Sequence, residues 1–328
     1  MMDAWWTSHP LCGGRDLHKW EFWLRTERSR LELRHLRYFL AVAEELNFGR
    51  AAERLGIAQP GLSQQVRALE EIIGTPLLDR TRRAVRLTLA GELLAGEARA
   101  TLARAEAAVA SARRAGQGEV GRLGIGYVAS AAYTGVLTSI LGAFREASPE
   151  VELVITEMAM QQQLDAISEE RLDVAFIRPP VLLPLGVTSF PVLQESVAIA
   201  LPASHPLAGR DAVPLEELSG ETFITPNHAA GVSFHQHTVA ACQAAGFQPR
   251  LGPQGRDFMT IASMAAVGLG VALVPRSVGC IQLPGVAYRP LAGPAVTAEL
   301  AVAHRRSEPS AAVRRFIRHA RQYRLRGT

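Results

Sequence analysis

The run 89–115 holds eleven alanines in 27 residues and no proline. Alanine orders at the lowest entropic cost in a helix, and nothing in the run breaks one. The composition therefore predicts a continuous helix of roughly 40 Å at the α-helical rise. A rod of that length divides the chain into a head before it and a body after it. Along the rod, Leu94, Ala98, Leu102, Ala105, Val109 and Ala112 recur at coiled-coil-like spacing. Such a seam needs a partner, either a second copy or the chain's own body. Gly116, Gly118 and Gly121 follow and supply the backbone freedom of a hinge. The expected division is an atypical extension at 1–30, a head at 31–88, a linker helix at 89–118 and a body at 119–328.

The head reads as three short helices. Leu36, Phe39, Leu40 and Ala43 share one helical face. Asn47 can cap a second helix in which Ala51, Ala52 and Leu55 pack closely on the first, and Gly56 ends it. A third helix opens at Gln59-Pro60, where proline's missing N–H is no loss. Its apolar set is Leu62, Val66, Leu69 and Ile73, so Ser63, Gln64, Arg67 and Glu71 fall on the opposite face. Serine, glutamine and arginine match the donor and acceptor pattern of base edges in the major groove. The same residues also make an ordinary solvated face.

The next segment favours DNA. Residues 80–86 carry four arginines and no acid, directly after Pro76-Leu77-Leu78. A short hairpin, or wing, fits this run, with arginines placed to neutralise phosphates or enter a minor groove. The stretch LRHLRYFLAVAEELNFGRAAERLGIAQPGLSQQVRALEEIIGTPLLDRTRRAVRLTLAG resembles the amino-terminal domain of the LysR-type transcriptional regulators at nearly every position from 33 to 91. That resemblance implies a winged helix-turn-helix, with Gln59, Pro60, Ser63, Gln64 and Arg67 on the recognition helix and Arg80, Arg82 and Arg83 in the wing. It also implies that the linker helix pairs with that of a second subunit. Two heads can read an inverted repeat where one offers too few base contacts.

The body alternates strands and helices. Strands are expected at 123–128, 151–155 and 173–177, with helices over 131–147 and 161–170 between them. A second unit follows, with strands at 197–201, 222–224 and 271–274 and helices over 234–245 and 258–267. The chain is expected to return near Tyr288, adding a strand at 299–303 and a helix from Ser310 to about Tyr323. Alternation of this kind predicts parallel sheet covered by helices. Two α/β lobes, 122–192 with 288–328 and 193–287, would enclose a cleft. The resembling family's effector domain, similar to periplasmic solute-binding proteins, has this arrangement.

Ligands in open α/β sheets gather at the carboxyl ends of strands. The rule selects Ala129, Ser130 and Ala131, then Met160 and Gln161, then Arg178, and from the second lobe the segment 227–234 with Ser233 and Phe234. Ser130 can donate to an anion and Arg178 can oppose a carboxylate. Against these stand a helix-capping serine and a solvated arginine. Gly126-Tyr127-Val128-Ala129-Ser130 and Val271 to Val278 are similar to the branch of the family that controls degradation of aromatic compounds. That implies an aromatic acid or a dicarboxylate as effector. Met160 departs from the pattern, standing where a polar residue is common, so the ligand can differ.

Several other readings are limited by composition. The net charge of +4 is small for the length, so basic character matters by location. Cys12, Cys242 and Cys280 show no metal-ligand spacing and fit reduced thiols in the cytoplasm. His228, His235 and His237 lie close, but residues two apart on a helix do not share a face. No apolar run reaches membrane-spanning length, and no nucleophile elbow or dinucleotide fingerprint is present. No cofactor, metal or enzymatic activity is expected. All four tryptophans fall in residues 1–30 without helical or strand period. That segment is expected to stem from an upstream start, with initiation at Leu31, or to be an aromatic arm. The eight arginines between Arg305 and Arg326 read as a solvated helix face. The partners implied by the resemblance are double-stranded promoter DNA, a small anionic effector, further copies of the chain as a dimer or tetramer, and RNA polymerase. A solute-binding protein of the periplasmic type would account for 122–328 alone and leave the head unexplained.

Overall fold

The structure is a computed structural model that describes residues 31–80, 85–229 and 231–326. Expectations for residues 1–30, and for Arg82 and Arg83, lie outside the described residues. The chain divides into two compact units, 1–111 and 112–328.

In the first unit, α1 (Leu33–Glu45), α2 (Phe48–Leu55) and α3 (Gln59–Ile73) precede a hairpin of β1 (Leu78–Arg80) and β2 (Val85–Leu87). The Asn47 carboxamide oxygen accepts from the N–H of Gly49 at 2.8 Å and of Arg50 at 3.1 Å, capping α2 as its residue type predicts. Gly56 ends that helix at a left-handed φ of 66°. Leu36, Phe39, Ala51, Leu62, Val66 and Leu69 are buried together, whereas Ile73 stays exposed. Each large side chain removed from water stabilises the unit by about 1.5–3 kcal/mol.

The long helix is α4 (Leu89–Gly116). Its first turns finish the head: Ala95 and Ala98 are buried, and Leu94 and Leu102 pack at the edge of the same core. Farther along, Val109 is exposed, as are Leu89 and Leu93 on another face. The seam expected from spacing is thus split, its first half satisfied within the head and its second half open.

In the second unit the first lobe contains β3 (Val120–Tyr127), α5 (Ala129–Tyr133), α6 (Val136–Ala147), β4 (Glu150–Glu157), α7 (Met160–Ser168) and β5 (Val174–Ile177). The helix expected over 131–147 is interrupted by Gly135, whose φ of 72° no continuous helix accommodates. The 16-residue β6 (Val187–Pro202) then runs through both lobes. The second lobe adds β7 (Thr222–Pro226), α8 (Ser233–Ala244), β8 (Arg250–Gly255), α9 (Phe258–Ala266), β9 (Ala272–Pro275) and β10 (Val286–Pro290). Finally β11 (Thr297–Arg305) and α10 (Ala311–Arg326) return to the first lobe. Because β10 pairs with the far half of β6, the return falls after Pro290 and not at Tyr288.

The sheet order is β10-β6-β11-β5-β3-β4, with β9 also on β6. β3 runs parallel to β4 and β5, but β11 is antiparallel to both β5 and β6, so the first-lobe sheet is mixed rather than wholly parallel. Strand alternation sorts the two faces. Val174 and Phe176 of β5, with Leu300 and Val302 of β11, pack under α6 and α10, where Phe144 and Phe316 meet edge to face at 5.1 Å. Ala175, Ile177, Ala301 and Ala303 face α7 through Leu164 and Ile167.

Candidate functional site

Two sites stand out, one in each unit. On α3, burial of Leu62, Val66 and Leu69 turns the opposite face outward. Pro60, Ser63, Gln64, Arg67, Ala68 and Glu71 line one shallow groove there, and Gln59 is exposed beside it. Arg80 ends β1, and Arg86 lies exposed on β2 across from Asp79. An exposed helix face of short polar groups next to a basic hairpin can offer base-edge contacts and phosphate contacts at once.

The second site is a cavity of about 500 Å³ between the lobes. Ala129, Ser130, Met160, Arg178 and Ser233 line it, together with Val128, Glu157, Met158, Asn227, His228, Asp257 and Phe258. Gln161 does not. It is exposed and bonds Asp165 one turn on, while Gln162 takes the place in the wall. Phe234 does not line it either. It is fully buried in the second-lobe core, edge-on to Phe258 at 5.0 Å.

Arg178 organises the floor. Its side chain is 3% exposed and pairs with Glu195 at 2.8 Å. Its Nε donates to Ser130 Oγ at 3.1 Å. Glu195, on β6, in turn accepts from the Ser277 N–H at 2.8 Å and the Ser277 hydroxyl at 3.2 Å. Burial pushes the guanidinium below the usual arginine value, and the Glu195 charge and hydrogen bond oppose that shift. Among the described residues, Arg178 Nη1 is buried without a hydrogen-bond partner. Because Ser130 Oγ accepts from Arg178, its own O–H is left to donate. Val128, not Ser130, holds the N-cap position of α5, so the capping alternative for Ser130 is not what the structure has.

The rest of the lining is partly apolar and partly charged, with Arg256 beside Asp257 at 3.8 Å. Val128, Met158, Met160, Pro226 and Phe258 form apolar walls, while Glu157 and Asp257 add carboxylates. Asp257 is held as the N-cap of α9, accepting from the Thr260 N–H at 2.8 Å. Burial, then the neighbouring His235, pushes the His228 imidazole below its ordinary value and favours the neutral ring. Glu195 and Asp257 escaped sequence reasoning. Glu195 lies 17 positions beyond Arg178 on a strand whose first half was not foreseen, and Asp257 carries only a capping signal.

Comparison with known proteins covers both units. The family described as "Bacterial regulatory helix-turn-helix protein, lysR family" matches residues 33–92, and the "LysR substrate binding domain" matches residues 116–324. The HTH-type transcriptional regulator BudR of Raoultella terrigena is 40% identical over 88% of this chain and 99% of its own length. AlsR of Bacillus subtilis (strain 168), also an HTH-type transcriptional regulator, is 34% identical over 88% of this chain and 94% of its own. The crystal structure of full-length CbnR complexed with its target DNA superposes with a TM-score of 0.71 at 28% identity, covering 90% of this chain and 100% of that one. The head, the linker helix, the two-lobed body and these matches lead to one conclusion: the chain belongs to the LysR family of DNA-binding transcriptional regulators.

Proposed function

We propose that the chain binds promoter DNA in the cytoplasm as a dimer or tetramer, and that an aromatic carboxylate in the interlobe cavity shifts the placement of its heads. Gln59, Pro60, Ser63, Gln64 and Arg67 read the major groove, and Arg80, Arg82 and Arg83 hold the flanking backbone. The single observation that carries the effector reading is Arg178, which lines the cavity and whose buried Nη1 has no hydrogen-bond partner among the described residues. A carboxylate oxygen satisfies it, with Ser130 donating beside it. The volume of about 500 Å³ lies in the range of small-molecule sites. Apolar walls suit a ring, and Arg178 with Arg256 in the lining suits a carboxylate, so the lining supports an aromatic acid. The open half of the linker seam supports pairing between copies. Effector acts only by binding two arrangements unequally, and RNA polymerase is the partner through which such a shift is read.

Thermal unfolding with aromatic monocarboxylates and dicarboxylates tests this. Ligand at 100 times its Kd stabilises by about 2.7 kcal/mol. An aromatic acid is expected to raise Tm in the native chain and not in Ser130→Leu. A rise that Ser130→Leu leaves intact, or no rise with any carboxylate, refutes the site.

A further inference from the structure

The turn that joins α3, the wing and α4 is held by a set of side-chain to backbone contacts. The Glu70 carboxylate, on the inner side of the recognition helix, accepts from the Leu77 N–H at 2.9 Å and the Leu78 N–H at 3.1 Å through a single oxygen. Thr88 closes the other side. Its N–H donates to the Leu77 carbonyl at 3.0 Å and its hydroxyl to the Pro76 carbonyl at 2.9 Å. The same hydroxyl accepts from the Gly91 N–H at 3.0 Å, in the first turn of α4. Gly91 is buried, and a Cβ there would collide with the Leu77 carbonyl oxygen and touch the Leu87 side chain at 3.0 Å. Farther along α4, Ala95 and Ala98 are buried against the head core, and Arg99 faces Glu44 of α1 at 3.6 Å.

We infer that Glu70, Thr88 and Gly91 weld the recognition helix, the wing and the linker helix into one lever, and that Gly91 thereby sets the distance between DNA half-sites the protein accepts. The inference rests on the reading, under the proposed function, that two heads of an oligomer bind together. Each head then follows its linker helix without slack.

The size of the effect follows from the geometry. Relieving a Cβ at position 91 moves the Leu77 carbonyl or the helix by about 1 Å. Ala98 lies about 10 Å along the axis from Gly91, so the helix tilts by about 6°. From Ala98 to Gly116 the helix runs about 27 Å, so its far end moves about 3 Å, close to one base-pair step.

The test uses the full chain on operators built from one half-site, and from two half-sites at varied separation. For Gly91→Ala, single half-site affinity is expected to stay within about twofold of native, while the preferred separation shifts by about one base pair. An unshifted optimum overturns the inference. Should Gly91→Ala fail to fold, Glu70→Ala and Glu70→Gln decide it. The amide oxygen of glutamine still accepts both N–H groups, so Glu70→Gln is expected to keep the native optimum and Glu70→Ala to broaden it over neighbouring separations. Equal behaviour of the two Glu70 variants overturns the inference. If the native chain itself shows no preference for separation, the oligomer reading fails, and the inference fails with it.

Discussion

Removing either member of the Arg178–Glu195 pair leaves a charge stranded at 3% or 10% side-chain exposure. Loss of one partner from a buried ion pair costs about 3–5 kcal/mol, whereas replacing both by apolar groups is often nearly neutral. Arg178→Met leaves Glu195 with both Ser277 donors, which places it at the lower end, about 3 kcal/mol. Glu195→Leu leaves the guanidinium with Ser130 as its remaining partner, which places it near the upper end, about 5 kcal/mol. In the double variant no charge is stranded. What remains is the loss of acceptors for Ser277 and of a donor for Ser130, about 1–2 kcal/mol. For a unit of this size each kcal/mol moves Tm by about 2–4 °C. Differential scanning calorimetry is therefore expected to show losses of about 6–12 °C for Arg178→Met, about 10–20 °C for Glu195→Leu and about 2–8 °C for the double variant. If the double variant loses the sum of the two single losses, the residues are not coupled and the argument from a shared buried charge is wrong.

Other predictions concern DNA and pH. Arg67→Ala is expected to lose about 1–3 kcal/mol of discrimination at the base it contacts, measured by competition with substituted operators; uniform weakening across sequences contradicts the base-edge role. Arg82→Ala should weaken binding alike on all sequences and lower the salt slope by about one, and an unchanged slope removes it from the phosphate contacts. Burial is the leading cause that pushes His228, His237 and His304 below the ordinary histidine value of 6.5. The unfolded chain then takes up protons before the folded one. Their contribution is complete above that value and is lost as pH falls below it, so Tm should decline on acidification from about pH 7 to pH 5. In His228→Gln the decline should be shallower, and an identical slope contradicts the assignment.

The head was legible because each of its signals is local. Asn47, Gly56 and Pro60 act within a turn of where they stand, and Leu62, Val66 and Leu69 reveal their buried face by spacing alone. The outward placement of Pro60, Ser63, Gln64 and Arg67 follows from that face. The body was legible in its alternation but not in its crossings. Pro191 lies in the first half of β6, where proline argues against a central strand. The structure admits it where the register between β6 and β11 shifts, at Leu300/Ala301. With that half unseen, Glu195 could not be placed beside Arg178. Ser130, Met160 and Arg178 reached the cavity because strand ends converge there, whereas Gln161 and Phe234 depended on which way a helix faces in its first turn. Period alone does not resolve that over so few residues. Spacing also could not divide the linker seam between its two uses, because alanines at coiled-coil spacing serve a head core as well as a second helix.

On the proposed function, occupancy of the cavity governs where the heads sit on DNA. Footprinting of the full chain on promoter DNA, with and without the carboxylate that most raises its Tm, addresses that claim directly. Two protected half-sites are expected, with a separation that changes with ligand in the native chain and stays fixed in Ser130→Leu. Half-sites that stay in place with the cavity filled would contradict it.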